Sequence, residues 1–279
     1  CKTAHRAFWR WRAEDASGKK AGKPRRKSFR NKIMSFTYGA ASKIKAPKNR
    51  HIRVPSLGSI RCSHMELPEG KIQGARLVFK ASGVYFQYVV KANHDQEITP
   101  SSEEVGVDSG FNPLLTFSNG EKVENPRESR KSAKRKAQAQ RGKNKKLVAR
   151  LCEREARRLL DRNHKISHKT VKNYYGIYFT KDNLKGQASK FGKSVSGAGI
   201  YQLRKFISYK AHSCGRKYEE VDSKNTTRRC SVCWSLTGPT GLRQLGVKFW
   251  ECENCKTFHD RDVNAAQVIL KTGQGYCLR

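Results

Sequence analysis

Two Cys-x-x-Cys pairs constrain the fold of this chain more than any other feature. Cys230 and Cys233 form the first pair, Cys252 and Cys255 form the second, and 18 residues lie between them. Each pair can form a tight turn that directs two sulfurs at one point, and Zn²⁺ accepts four thiolates tetrahedrally. The spacing therefore predicts a structural zinc ribbon rather than two redox pairs.

A short acidic motif follows the second pair. The sequence H-D-R-D begins at His259, four residues after the last of these cysteines, and it ends at Asp262. The residues after it predict a short helix, so Asp262 lies at a helix start just beyond the metal ligands. Asp262 is a candidate functional carboxylate, and the alternative is that it only caps the helix. The apolar positions of this helix are Val263, Ala266, Val268 and Ile269.

The charge balance indicates a polyanionic partner. Lys and Arg number 59 against 23 acidic residues, which gives a formal charge of +36. Such an excess destabilises a folded chain by self-repulsion unless a polyanion neutralises it, and nucleic acid is the usual one. We find no stretch of about 18 apolar residues and no signal peptide, so we expect no membrane span. Five of the nine cysteines lie outside the pairs, which favours a reducing compartment over a disulfide framework.

The region from His51 to Asp95 has the pattern of short β-strands. Residues 75–80 and 84–90 alternate apolar and polar side chains around a turn, which predicts a hairpin, and residues 52–54 and 59–62 predict two shorter strands. Several short antiparallel strands predict a small barrel. We expect this region to be a binding platform.

An apolar strand after a polar linker carries a single carboxylate. The strand begins at Val105 and Asp108 lies near its end, and Leu114–Phe117 follows with a hairpin turn at Ser118. A buried strand of this kind is how RNase H-like nucleases present their first metal ligand. The alternative is an Asp that merely ends a strand.

The segment from Arg127 to Asn163 predicts two very basic helices that break at Gly142. A solvated charged face is the default explanation of such a segment. Here the charge is nearly all of one sign, which disfavours an isolated helix because like charges repel at i,i+4, so we favour phosphate binding. Candidate nucleic-acid ligands are Arg135, Arg150, Arg154, Arg157 and Arg158. Further along we expect a strand at 174–180, one helix at 194–212 and a strand at 217–222. The helical period places four apolar residues of that helix on one face: Ile200, Leu203, Ile207 and Ala211.

Taken in order, the motifs resemble those of the TnpB proteins, also called OrfB transposon-associated proteins, which are relatives of the type V CRISPR effectors. The resemblance covers about residues 25 to 270. The zinc ribbon followed by H-D-R-D-V-N-A-A is its specific part, and the D-x-G strand is not specific. The other matching motifs are V-G-V-D-S-G, D-N-L-K-G and S-G-A-G-I-Y-Q-L-R-K-F-I-S-Y-K-A.

The resemblance implies an RNA-guided DNA endonuclease with guide RNA and target DNA as partners. It also implies a RuvC site in which three carboxylates hold two Mg²⁺ ions. Asp108 matches the first carboxylate, and Asp262 matches the third better than Asp260 does. The second carboxylate of the family falls at Thr180 or Lys181, and neither residue is acidic.

Several interpretations of the missing carboxylate stay open. Asp182 supplies it after a small shift of the loop, or Glu219 or Glu220 reaches the site from a neighbouring strand. Otherwise the site is inactive, and the chain binds guided DNA without cutting it. A further alternative is an unguided zinc-ribbon DNA-binding protein that assists a transposase.

The resemblance implies an α/β chain with two domains and an insertion. We expect a partial β-barrel, an OB-like wedge domain, over residues 1–100. An RNase H-like RuvC domain follows over 101–225 and 259–279, with a basic helical insertion at 127–163 and the zinc ribbon at 226–258. Because the sequence starts at Cys1 rather than Met, we expect earlier barrel and recognition residues to be missing. A cytoplasmic protein of a prokaryote or a phage fits these features.

Overall fold

The structure of the protein is a computed structural model in which two compact units, Cys1–His94 and Asp95–Arg279, are distinct. No helix among the described residues combines the length and apolar character needed to cross a membrane. The described residues are 8–13, 18, 22–23, 35–39, 44–45, 47–55, 57–63, 69–91, 101–181, 184–222, 224–240, 244 and 246–276.

The first unit contains two small antiparallel sheets. The longer one has the order β1-β4-β5, and the shorter one is the hairpin β2-β3. The hairpin predicted at 75–80 and 84–90 is confirmed, and its first strand starts earlier, at Lys71. Both sheets are open, so the predicted barrel is not present as a closed sheet in the part of the chain described. The strands are β1 Ser35–Gly39, β2 His51–Val54, β3 Gly58–Arg61, β4 Lys71–Lys80 and β5 Gly83–Lys91.

The second unit is built on a five-stranded mixed sheet of order β10-β9-β6-β7-β8. The central strand β6 pairs with β7 antiparallel and with β9 parallel, and β10 extends the parallel side. The predicted strands around Asp108 and at 217–222 are confirmed. The strands are β6 Glu104–Ser109, β7 Leu115–Phe117, β8 Lys122–Val123, β9 Gly176–Lys181 and β10 Lys217–Asp222.

Some of the helices described in this unit differ from the helices that the sequence predicts. The second basic helix, α3, runs to Asn173, ten residues beyond its predicted end, because its last two turns bury Ser167, Thr170 and Val171 against the core. The helix predicted at 194–212 is two helices, which are divided at Gly199 with a φ of +64°. The helices are α1 Glu128–Lys131, α2 Ala133–Arg141, α3 Lys145–Asn173, α4 Leu184–Ala198, α5 Ile200–Ser213 and α6 Arg261–Gly273.

The two faces of the mixed sheet bury different helices. One face carries Val107, Ile177 and Phe179, and these side chains pack in one cluster with buried residues of α3 and α5. The other face carries Gly106 and Tyr178, and it packs against α6. Because side chains alternate along a strand, each strand residue is assigned to a face by its position.

The second cysteine pair lies on a small hairpin that leads directly into α6. Its strands are β11 Phe249–Glu251 and β12 Phe258–Asp260, and α6 begins at the next residue, Arg261. Trp250 is buried beside the cysteines and forms a separate small core with them. The ribbon thus has its own packing centre, and no linker separates it from the helix.

Candidate metal centre and carboxylate site

The four predicted cysteine ligands meet at one point. The Sγ atoms of Cys230 and Cys255 lie 3.6 Å apart, and those of Cys233 and Cys252 lie 3.5 Å apart. All four sulfurs lie within 4.8 Å of one another. A tetrahedral Zn²⁺ with bonds of about 2.3 Å separates its sulfurs by about 3.8 Å, so the observed set fits that ion.

The surroundings of the sulfurs shift the pKa values of individual cysteines in opposite directions. Burial raises the pKa of Cys230 to about 12. Hydrogen bonds from Ser235 and Asn254 lower the pKa of Cys233 to about 7. Burial acts to raise the pKa of Cys252, but the hydroxyl groups of Ser235 and Thr237 outweigh it and lower that pKa to about 5. Hydroxyl groups therefore favour the thiolate form at Cys233 and Cys252, as a metal ligand requires.

His259 is a neighbour of the metal centre that the sequence did not identify. Its Nε2 atom lies 3.1 Å from Cys230 Sγ, and its ring packs on Trp250 with centroids 4.8 Å apart. The side chain is buried, and burial lowers its pKa, which favours the neutral ring. In the tautomer that carries its proton on Nε2, the neutral imidazole donates a hydrogen bond to the buried Cys230 sulfur.

Polar side chains of α6 hold the first cysteine pair. Asn264, which is 1% exposed, accepts from the backbone N–H of Ser231 at 2.8 Å and donates to the backbone carbonyl of Arg229 at 2.8 Å. Lys271 donates to the Ser231 carbonyl at 2.6 Å. The ribbon and α6 are therefore one connected structure, and we call these bonds the Asn264 clamp.

Asp260, not Asp262, caps α6. Its Oδ1 atom accepts from the backbone N–H groups of Asp262 and Val263, and its Oδ2 atom pairs with Lys122 at 2.6 Å. Burial acts to raise the pKa of Asp260, but Lys122 and the two N–H donors outweigh it and hold that pKa below its usual value. The capping alternative for Asp262 is therefore wrong. Asp262 lies in the first turn of the helix, and its carboxylate pairs with Lys248 at 3.1 Å.

Strand β6 and helix α6 approach each other very closely at Gly106. A Cβ atom on Gly106 would lie 2.0 Å from the Ala266 carbonyl oxygen and 2.6 Å from the Leu270 nitrogen. At the far end of the helix, Gln274 donates to Glu104 at 2.7 Å. The C-terminus of α6 therefore lies at the start of β6, and the helix runs antiparallel to the strand.

This direction brings two predicted acids toward each other. Asp262 lies one helical turn before Ala266, about 6 Å along the helix axis. Asp108 lies two residues beyond Gly106 on the same face of the strand, about 6.6 Å further along. Asp108 and Asp262 therefore extend toward the same end of the same sheet face.

Thr180 occupies the position next to Asp108 on this face. Its strand pairs with β6 in parallel, with Val107 opposite Phe179, so the following residues Asp108 and Thr180 are neighbours. Thr180 lies two residues after Tyr178, so both side chains are on the sheet face that packs against α6. Thr180 is 1% exposed. Its Oγ1 atom lies 3.3 Å from Ser109 Oγ. A hydroxyl group thus stands at Thr180, one of the two positions at which the resemblance places the second carboxylate.

The other candidates for the second carboxylate do not fill this position. Glu220 lies on the opposite face, where its Oε1 atom pairs with Arg204 of α5 at 3.4 Å and accepts from Tyr218 at 3.1 Å. Glu219 shares the α6 face but stands beside Tyr178, toward the start of the strands. Asp182 lies outside the described residues.

The five arginines that we predict to bind nucleic acid are all exposed, and they lie on α2 and α3. Two of them also form ion pairs within the protein, Arg157 with Glu153 at 3.3 Å and Arg158 with Glu128 at 2.6 Å. Arg158 also lines a groove of about 1280 Å³ between α1, α2, α3 and α4. This surface presents cations beside an open groove. The five arginines are Arg135, Arg150, Arg154, Arg157 and Arg158.

Two family models match separate parts of the chain. The OrfB_IS605 model, described as "Probable transposase", matches residues 87–186. The model described as "Cas12f1-like, TNB domain" matches residues 201–269, which include the four cysteines.

Three relatives extend this similarity. A "Putative RNA-guided DNA endonuclease" of Streptomyces pristinaespiralis is 31% identical over 197 residues, which is 64% of this chain and 48% of that protein. The "TnpB-like protein L79" of Acanthamoeba polyphaga mimivirus is 30% identical over 43% of this chain and 24% of its own length. The "Putative RNA-guided DNA endonuclease InsQ" of Escherichia coli K12 is 26% identical over 91% of this chain and 69% of its own length. The chain thus spans less than half the length of the first two relatives.

One solved structure shares a weaker likeness. It is the "Cryo-EM structure of the Cas12f1-sgRNA-target DNA complex", with 17% identity and a TM-score of 0.48. The alignment covers 71% of this chain and 56% of that chain.

Proposed function

Because the chain belongs to the TnpB family, also called OrfB, we propose that it is an RNA-guided DNA-binding protein whose RuvC-like site does not cut at the family's rate. Guide RNA and target DNA are its proposed partners. The carrying observation is the buried hydroxyl of Thr180 beside Asp108, at the position of the second carboxylate. Relatives named as RNA-guided DNA endonucleases support the guided part of the proposal.

We propose the same domain limits as the sequence suggested. Residues 1–100 form the wedge domain, 101–225 and 259–279 the RNase H-like RuvC domain, and 226–258 the zinc ribbon. The sheet order with antiparallel β6, β7 and β8 and parallel β9 and β10 supports an RNase H-like arrangement. The basic helical insertion at 127–163 contributes the arginine surface that would grip nucleic-acid phosphates.

A structural Zn²⁺ fits the cysteine cluster, and its proposed ligands are Cys230, Cys233, Cys252 and Cys255. When bound, the ion would supply folding energy to the ribbon, since such modules bury too little apolar surface to fold alone. The Asn264 clamp then joins the folded ribbon to α6 through hydrogen bonds. Through α6, the ribbon fixes the position of Asp262.

The described residues fit a pair of Mg²⁺ ions less well than the cysteine cluster fits Zn²⁺. Two-metal sites clamp the attacking and leaving oxygens with ligands rich in carboxylates. Here only Asp108 and Asp262 extend toward the site on the α6 face, and Lys248 already neutralises Asp262. Thr180 adds a hydroxyl with no negative charge. This donor set is the physical reason for proposing binding without efficient cleavage.

The replacement Thr180→Glu tests the proposal directly. A third carboxylate about 5 Å from Asp108 would cost roughly 3 kcal/mol without metal, at an effective dielectric near 20. We expect the thermal stability of this variant to fall in a chelator and to recover with Mg²⁺. Thr180→Gln has the same shape without the charge, so it should show no response to Mg²⁺.

A cleavage assay completes the test. With a guide RNA and matched target DNA, we expect the wild-type chain to bind both and to cut no faster than Asp108→Ala. Thr180→Glu should gain cleavage that depends on Mg²⁺. Wild-type cleavage far above that of Asp108→Ala would refute the proposal and favour a competent nuclease that uses Asp182. DNA binding that is unchanged when the RNA is removed would favour the unguided transposase accessory.

A further inference from the structure

We infer that the outer face of α5 binds unpaired nucleotides of the guide RNA, an inference that rests on the proposed function. Three residues at successive turns of the helix form this surface: Tyr201, Lys205 and Tyr209. We call them the tyrosine stripe. They do not belong to the cysteine cluster, to the Asp108 site or to the predicted arginine surface.

The stripe is exposed because the opposite side of α5 forms the core. Ile200, Leu203, Ile207 and Ala211 are buried, whereas Tyr201 is 55% exposed and Tyr209 is 49% exposed. The Lys205 ammonium lies 4.7 Å from the centre of the Tyr201 ring. The two tyrosines are about 12 Å apart along the helix axis, so separate bases can stack on each.

The charge around the stripe suits a polyanion. Helix α5 contains no acidic residue, and the exposed Lys205 lies between the two tyrosines. Lys210 donates to the His164 carbonyl at 2.8 Å and to Ser167 Oγ at 2.7 Å, which are both neutral acceptors. On the described part of the chain, the acid that pairs with a cation of α5 is Glu220, and its partner is Arg204. Aromatic rings interleaved with unneutralised cations are typical of surfaces that bind single strands.

Stacking on tyrosine selects unpaired bases, since the bases of a duplex already stack on each other. Each tyrosine hydroxyl can also bond a ribose 2′-hydroxyl, which DNA lacks. The lysine between the rings supplies a contact for the backbone phosphate that joins two stacked nucleotides. The stripe is therefore suited to single-stranded RNA rather than to duplex.

The position of the stripe in the fold also favours RNA over target DNA. Helix α5 packs on the sheet face that carries Val107 and Phe179, whereas Asp108 lies on the face that packs against α6. A DNA strand held at the carboxylates would lie on the α6 side. The guide RNA has no need to reach those carboxylates, so its unpaired segments can bind behind the sheet.

The test uses the full chain and two labelled probes, a 20-nucleotide oligouridylate and the matching oligothymidylate. Binding is followed by fluorescence anisotropy at about 0.3 M salt, where the phosphate contribution of the other basic surfaces is weakened. We compare wild type with Tyr201→Ala/Tyr209→Ala, with Tyr201→Phe/Tyr209→Phe, and with Tyr276→Ala. Tyr276 is 61% exposed beyond the end of α6 and serves as the matched control.

We expect the double alanine variant to bind oligouridylate at least tenfold more weakly than wild type, because stacking on each ring is lost. The oligouridylate affinity of the double phenylalanine variant should stay within about threefold of that of wild type. The affinity of Tyr276→Ala should equal that of wild type. Photo-crosslinks from 4-thiouridine in the RNA should map to Tyr201 or Tyr209.

Equal RNA affinity of wild type and the double alanine variant would overturn the inference and leave the proposed function intact. An equal loss for the oligothymidylate, without preference for RNA, would overturn the assignment to guide RNA. If the wild-type chain binds no RNA at all, the proposed function itself fails. Thermal unfolding of each variant checks that the exposed substitutions leave the fold unchanged.

Discussion

The substitution Gly106→Ala should displace α6 and weaken the whole second unit. The new methyl carbon would lie 2.0 Å from the Ala266 carbonyl oxygen, whereas ordinary contacts begin near 3.4 Å. The helix must therefore retreat by about 1.4 Å, because both partners are backbone and no rotamer change can relieve the contact. Overpacking typically costs about 1–3 kcal/mol, and a backbone clash belongs at or above the top of that range. A loss of about 3 kcal/mol lowers the melting temperature by roughly 6–12 °C.

Thermal and urea unfolding measure this loss, with Gly192→Ala as the matched control. Gly192 lies in α4, and its Cβ would meet no atom within 4 Å. The control should stay within about 0.5 kcal/mol of wild type or gain slightly in stability. Equal stability of Gly106→Ala and wild type would contradict the close approach of β6 and α6. It would also remove the geometric reason for bringing Asp108 and Asp262 together.

Three further predictions concern the ribbon and its helix. Cys252→Ser should abolish zinc binding and unfold the ribbon. The zinc content measured by metal analysis should therefore fall from about one Zn²⁺ per chain to none. The control variant Cys152→Ser should retain about one Zn²⁺ per chain. Asn264→Ala leaves a buried N–H and a carbonyl without partners and should cost about 2–4 kcal/mol of unfolding free energy, while Gln267→Ala should cost less than half of that. Because the pKa of Asp260 is lowered in the fold, its stabilisation is present above the unfolded value near 3.9 and is lost as the pH falls through the folded value. The stability gap between wild type and Asp260→Asn should therefore narrow below about pH 4, and a gap that stays constant down to pH 2 would contradict the ion pair with Lys122.

The sequence predicted features that local chemistry decides. Four cysteines in two tight turns can direct their sulfurs at only a few points, so the spacing alone predicted the cluster around Cys230. The buried positions of α5, from Ile200 to Ala211, followed from a helical period. Strand β10 was predicted with its observed ends because its flanking residues, at Gly215 and after Asp222, break the pattern.

Tertiary contacts decided what the sequence could not. The sequence offered Asp262 as a possible cap, but the backbone geometry at Asp260 and its pairing with Lys122 make Asp260 the cap. Glu220 was a candidate for the second carboxylate because of its position in β10. The alternation of side chains along the strand and the contact with Arg204 place it on the opposite face of the sheet. The break at Gly199 depends on Leu159 and Asn163, which approach it from another helix.

The same limit applies to the ends of the basic helices and to His259. Helix α3 continues to Asn173 because distant strands cover its last turns, and no local signal marks such an end. His259 was treated only as part of the H-D-R-D motif. Its contact with Cys230 arises because β11 and β12 pair and bring Trp250 opposite it.

Because no spacer separates β12 from α6, a movement of the cysteine hairpin also moves the start of α6, where Asp262 lies. A rigid hairpin that continues directly into a helix transmits a tilt at one end as a displacement at the other. Oxidation of one thiol, or replacement of a bound zinc by a larger ion, should therefore shift Asp262. The position of Asp262 would then respond to the redox state of the four cysteines.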